Sequence, residues 1–115
     1  EQKNVSQEAI LPDIPMVVVV NEGSASAAEI VAGAMQDHRR GKIIGKKSFG
    51  KGTVQDMVNL SDSSTLKVTI AEWLTPNGHT INHDGIKPEI EIEDDPKTES
   101  DEALDKAITI LSDNK

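Results

Sequence analysis

The period of the apolar positions changes several times along this chain, and each change marks the edge of an element. Met16-Val17-Val18-Val19-Val20 is too short for a helix and rich in β-branched residues, so it predicts a strand buried on both faces. From Ala27 the apolar residues fall at Ala27, Ile30, Val31, Ala34 and Met35, the spacing of a helix with one buried stripe. That helix is predicted from Ala27 to His38, with Arg39, Arg40 and Gly41 as stop signals and Gly33 marking close packing. Lys42-Ile43-Ile44-Gly45 predicts a second strand. The strand–helix–strand unit over 16–45 predicts a crossover between parallel strands.

Further on the period shortens to two. Thr53 to Leu60 and Thr65 to Leu74 predict an antiparallel hairpin turned at Ser61-Asp62-Ser63-Ser64, with Leu66, Val68 and Ile70 on one face. Thr75-Pro76-Asn77-Gly78 is a turn by its chemistry. A short strand over His79 to Asn82, a second turn at His83-Asp84-Gly85 and an extended segment from Ile86 to Ile92 follow, with Ile86, Ile90 and Ile92 sharing a face. Asp94 to Glu99 is an acidic linker, and Ala103, Leu104, Ala107, Ile108 and Leu111 predict a closing amphipathic helix. The chain divides into a polar lead-in (1–14), an α/β domain (15–93) and the linker with its helix (94–115). The lead-in reads as a cut through a longer protein.

Composition narrows the function classes. The 115 residues suffice for one small domain or part of a larger one. Only Phe49 and Trp73 are aromatic, so the core is built from Val, Ile, Leu, Ala and Met. A formal charge of −8 argues against nucleic-acid and anionic-membrane partners, which need clustered cations. The absence of cysteine excludes disulfides, thiolate metal sites and a cysteine nucleophile.

Candidate chemistry gathers at the first strand–helix corner. Ser26-Ala27-Ala28-Glu29 fits a capping box, in which the Ser26 oxygen accepts from the Glu29 N–H and the Glu29 carboxylate reaches back. The same position suits a nucleophile held on a sharp corner, with the Ala27 N–H placed to stabilise an oxyanion. Gly45 to Gly52 nearly spells a phosphate-binding loop, but Gly52 stands where a hydroxyl is needed and a strand follows where a helix is needed. His79 and His83 are separated by turn residues and do not share a helical face, so no metal site is expected. A serine nucleophile needs a base, and a lysine serves if burial lowers its pKa from about 10.4 towards 7 or 8. Lys51 is the candidate: Gly50 and Gly52 let the backbone bend around it, Phe49 offers apolar cover, and Gln55 lies on the same side of an extended segment.

With these residues in place the chain resembles the C-terminal processing peptidases, or tail-specific proteases. Asn21-Glu22-Gly23-Ser24-Ala25-Ser26-Ala27-Ala28-Glu29-Ile30 is similar to the family's nucleophile segment, and Lys46-Lys47-Ser48-Phe49-Gly50-Lys51-Gly52-Thr53-Val54-Gln55 to its general-base segment. Trp73-Leu74-Thr75-Pro76-Asn77-Gly78 and Gly85-Ile86-Lys87-Pro88-Glu89-Ile90 resemble its later hairpin and exit strand. The resemblance implies Ser26 as nucleophile, Lys51 as general base, Gln55 as its orienting partner, Ala27 as an oxyanion donor and Glu29 as support, on a crotonase-like (ClpP-like) α/β core. It implies cleavage of protein or peptide C-terminal tails without a cofactor, and an extracytoplasmic location. It also implies an upstream PDZ domain and a glycine-rich turn giving a second oxyanion donor. Neither is in this sequence, which therefore resembles the C-terminal half of a catalytic domain. The competing reading is a non-catalytic interaction module that pairs with another copy as a homodimer through exposed strand edges.

Overall fold

A computed structural model describes residues 13–93, 95 and 97–113. Most of the polar lead-in (1–12), and Asp94 and Pro96 of the acidic linker, lie outside the described residues. In chain order the elements are β1 Val17–Val20, α1 Ala27–Asp37, β2 Lys42–Gly45, β3 Thr53–Asn59, β4 Thr65–Glu72, β5 Ile90–Glu91 and α2 Glu102–Asp113. β1, β2 and β5 form a parallel sheet in that spatial order, so the predicted crossover through α1 is present. Val18 pairs with Ile43 and Ile44 with Ile90. On one face Val20 and Ile43 join Ala32 of α1 and Ile81 and Ile86 of the later loops in the apolar core. α2 packs on β1 and β2 without contacting α1, which places it on the other face, with Ala103 and Ala107 buried.

Each helix buries only part of the stripe its apolar residues predict: Ile30 and Met35 of α1 pack against the core, and Ala103 and Ala107 of α2 are buried. In α1 Val31 is 55% exposed and Ala27 is exposed, while Glu29, Ala32 and Gly33 are buried. Small size decides this. A Cβ at Gly33 would lie 2.9 Å from Thr75 Cγ2 and 3.1 Å from Ile86 Cδ1, so glycine lets the segments after β4 and before β5 settle onto the helix. In α2 the alanines likewise face the sheet, and Leu104 and Ile108 point outward. α1 ends in a Schellman arrangement, Arg40 N–H to the Met35 carbonyl at 2.9 Å and Arg39 N–H to the Gln36 carbonyl at 3.0 Å. Its left-handed residue is Arg39, φ 51°, rather than the glycine the stop signals suggest.

The predicted strand at His79 to Asn82 is absent. A single bridge, Leu74 to Thr80, forms there, because Ile81 turns into the core and the Gly85 N–H closes back on the Ile81 carbonyl at 2.8 Å. The extended segment after Ile86 is strand only at Ile90–Glu91, flanked by bonds from the Glu89 N–H to the Ile43 carbonyl at 2.8 Å and from the Ile92 N–H to the Gly45 carbonyl at 2.9 Å; Pro88 has no N–H to carry the ladder further back.

The β3–β4 hairpin forms in the predicted antiparallel sense and touches no other helix or strand. Leu66, Val68 and Ile70 are 51%, 38% and 61% exposed, and Ile70 is the unpaired residue at a register shift opposite Val54 and Gln55. The radius of gyration is 17.6 Å, against about 13 Å for a compact chain of this length.

Gly45 shows why the sheet admits no side chain at the end of β2. Its φ is +111° and a Cβ would run into the Val20 carbonyl oxygen, which accepts the Lys46 N–H at 2.9 Å. Gly45→Ala is expected to destabilise the fold by about 3 kcal/mol or more, combining overpacking with backbone strain. Gly78→Ala has the same φ sign, +83°, with nothing within 4 Å, and is expected to lose only about 1–2 kcal/mol. Urea denaturation of the two variants checks the difference.

Candidate active site

The corner that carries Ser26 is shaped first by Asn21. Its side-chain oxygen accepts the Gly23 N–H at 3.0 Å and its carbonyl the Ser24 N–H at 2.9 Å, while the Asn21 N–H donates to Ser24 Oγ at 3.1 Å. This local turn ends β1 and delivers Ser26 to the N-cap of α1 at φ 55°, ψ −116°. A non-glycine residue at such angles stores on the order of 1–3 kcal/mol of strain and persists only where its surroundings hold it. Here the hold is Glu29, whose Oε2 accepts the Ser26 N–H at 2.8 Å.

Ser26 and Glu29 stand in the capping-box arrangement. The glutamate half is the short bond just described. The Glu29 N–H makes its 2.9 Å bond to the Ser26 carbonyl, and the hydroxyl makes no side-chain cap bond of full geometry. The Ala27 N–H has no hydrogen-bond partner among the described residues. Unpartnered donors at a helix N-terminus are where negative charge is best received.

Glu29 does more than cap. It is fully buried, and Oε1 accepts the Ser48 hydroxyl at 2.5 Å and the Gly50 N–H at 2.6 Å. Oε2 accepts the Lys51 N–H at 2.9 Å beside that of Ser26. Burial pushes the Glu29 pKa up, but the Ser48, Gly50, Lys51 and Ser26 donors together outweigh it and hold the carboxyl below its ordinary range. One side chain therefore ties the Ser26 corner to the Lys51 loop. A further bond, Phe49 N–H to the Ser24 carbonyl at 2.9 Å, lays the two segments side by side.

The surroundings of Lys51 differ from the sequence expectation. Lys51 is exposed and Phe49 is 66% exposed, so within this chain Phe49 does not bury the lysine. Gly50 turns the backbone at φ +89°, and both Gly50 and Gly52 lie close against the later loop. A Cβ at Gly50 would lie 3.0 Å from the His83 carbonyl carbon, and one at Gly52 would collide with the Asn82 N–H; the glycines let the loop lie flat on residues 81–83. The His83 N–H accordingly donates to the Gly50 carbonyl at 2.9 Å. Gln55 is exposed and pairs with Thr69 while Val54 pairs with Ala71, so the register shifts there with Ile70 of β4 as the extra residue.

His79 Nδ1 lies 4.0 Å from Asp37 Oδ1, on the turn that follows the hairpin. Among the described residues no three His, Asp or Glu side chains are grouped to hold a metal ion. Ser48 is the residue of this hydrogen-bonded junction that spacing misses. It is a buried hydroxyl, 4% exposed, in a segment whose polar composition reads as solvated loop.

The Peptidase family S41 profile matches residues 1–92. A probable CtpA-like serine protease of Staphylococcus epidermidis is 41% identical over 117 aligned residues, covering 100% of this chain and 22% of that protein. The solved photosystem II D1 C-terminal processing protease superposes with a TM-score of 0.67 at 44% identity, over 84% of this chain and 24% of that one. The tricorn protease shares the fold, with a TM-score of 0.74 at 24% identity over 87% of this chain and 10% of that one. The chain thus spans about a fifth of the length of the curated relative it matches throughout.

The Glu29 bonds set a pH dependence. A carboxyl whose folded-state pKa is depressed stabilises the fold fully above its unfolded value, near 4.5, and loses that contribution as pH falls through the lower folded value. Glu29→Gln is expected to lower stability at pH 7 by about 2–4 kcal/mol, because an amide nitrogen then faces N–H donors. The deficit is expected to shrink on acidification, which urea titrations between pH 7 and pH 3 would show.

Proposed function

The chain belongs to peptidase family S41, and from that premise we propose that it supplies the nucleophile and general base of a serine endopeptidase that cleaves polypeptides near their C-termini. The carrying observation is the strained Ser26, φ 55°, joined through Glu29 to the amide of Lys51 at 2.9 Å. Strain of this kind at a strand–helix corner exposes a serine oxygen. The named activity of the D1 C-terminal processing protease, at 44% identity, supports the choice of C-terminal tails as substrate. The parallel β1–α1–β2 unit with helices on both faces supports the finer assignment of a crotonase-like core.

In the proposed reaction the Lys51 amine takes the Ser26 hydroxyl proton as the oxygen attacks the peptide carbonyl carbon. The Ala27 N–H donates to the oxyanion that forms, adding to the positive end of α1. Lys51 then passes the proton to the leaving amine, leaving an acyl-serine. Water, deprotonated by Lys51, releases the acyl group and restores Ser26. Gln55, at the start of the hairpin, holds the lysine nitrogen. Glu29 acts on the backbone: it fixes Ser26 in the strained conformation and anchors the base loop against it.

The test is peptidase activity of the full-length protein on peptides with free C-termini. Ser26→Ala and Lys51→Ala are each expected to lower kcat by about a thousandfold or more, with the double variant no worse than either single one, since the two groups act as a unit. A Lys51→Ala protein of undiminished kcat would refute the assignment.

A further inference from the structure

The Ser48 hydroxyl is engaged on two sides. It donates to Glu29 Oε1 at 2.5 Å and accepts the Ile86 N–H at 2.6 Å, while the Ser48 N–H donates to the Ile86 carbonyl at 3.1 Å. The residue is buried, and Gly85 is packed so closely that a Cβ there would lie 2.6 Å from the Ser48 carbonyl oxygen and 3.0 Å from Oγ. The Ile86 N–H comes from a core residue 3% exposed, so the oxygen of Ser48 is pinned from behind.

This geometry decides where the hydroxyl proton points. A serine hydroxyl has one proton to give, and with the Ile86 N–H on the oxygen the proton goes to Glu29. The other three groups on the carboxylate are backbone N–H donors, none of which can reverse its polarity. Ser48 is the one side chain among the four, and its hydroxyl is held from behind by the segment leading to β5.

We propose that Ser48 is a positioning residue for the S41 reaction: wedged between Ile86 and Glu29, its hydroxyl aims the carboxylate that holds the Ser26 and Lys51 amides together. The inference rests on the Ser26–Lys51 reading for its kinetic consequences and on the hydrogen bonds alone for its structural ones. It links the segment before β5 to the reacting serine through three bonds, Ile86 to Ser48, Ser48 to Glu29 and Glu29 to Ser26. The part played is orientation; Ser48 touches no reacting atom.

The test uses full-length protein with Ser48→Ala, Ser48→Thr and Ser48→Cys. The alanine variant is expected to lose about tenfold to a hundredfold in kcat, the scale on which slight misplacement of reacting groups is felt, with KM unchanged. Threonine, which keeps the hydroxyl, is expected to restore kcat; cysteine, a weak donor of similar shape, is expected to fall between and gives the same reading should the alanine protein not fold. Selective ¹⁵N labelling supplies a readout independent of turnover: the Ser26, Gly50 and Lys51 amide protons are expected to shift together in the alanine variant and to return in the threonine variant. A folded Ser48→Ala protein with wild-type kcat and unmoved amide resonances would overturn the proposal. So would a loss of kcat that threonine, folded, fails to restore, because packing rather than the hydrogen bond would then be responsible. Absence of turnover in the unsubstituted protein would instead sink the Ser26–Lys51 reading, leaving the amide resonances to decide the role of Ser48.

Discussion

A carboxylate removed from water must have its lone pairs met by donors, and in this chain the donors that meet Glu29 come from the two segments on which the proposed chemistry rests. Two bonds on each oxygen, from Ser26, Ser48, Gly50 and Lys51, outweigh the desolvation of a fully buried charge. The consequence is geometric. The strained corner at Ser26 and the loop at Lys51 are far apart in sequence, and a single side chain fixes their backbones against each other. Losing any of these donors leaves an unpaired charge or an unpaired amide, so the arrangement holds as a whole.

The rest of the fold serves that junction. The parallel β1–β2 pair sets the start of both segments, since Val20 and Gly45 lie opposite each other and the Lys46 N–H bonds to the Val20 carbonyl. Behind the base loop, residues 81–86 form a floor that meets it so closely that neither Gly50 and Gly52 of the loop nor Gly85 of the floor has room for a side chain. Ile81 and Ile86 of that floor belong to the apolar core, so the loop is backed by the best-packed part of the molecule. Beyond Gly52 the chain leaves the body: Gln55 stands at the root of a hairpin arm that contacts no other element. Pre-organisation is therefore unequal, strongest around Ser26 and Glu29 and weakest around Gln55.

Much of this was legible in the sequence, for identifiable reasons. The valine run, the helix spacing and Lys42-Ile43-Ile44-Gly45 gave a crossover unit because each has an unambiguous period and clear edges. The Ser26 corner and the Lys51 loop were visible because glycine and small residues punctuate them. Apolar periodicity misjudged which faces are buried: on α1 it picked Ala27 and Val31 over Glu29 and Gly33, because a satisfied carboxylate and a bare backbone pack more closely here than valine does. The same happened on α2, where alanines took the sheet and Leu104 and Ile108 did not. Glu29 was read as a cap because its partners at 48, 50 and 51 are long-range, and no local pattern encodes them. Ser48 looked like loop for the same reason. The register shift at Ile70, opposite Val54 and Gln55, has no signature in either strand alone because it depends on the pairing of the two.

The most direct measurement of this account is residue-resolved hydrogen exchange at the Ser26, Gly50 and Lys51 amides. If one carboxylate holds all three, they open with a common free energy in the unsubstituted protein and lose protection together in Glu29→Gln, while the amides of β1 and β2 keep theirs. Three unrelated opening energies, indifferent to the replacement of Glu29, would contradict it.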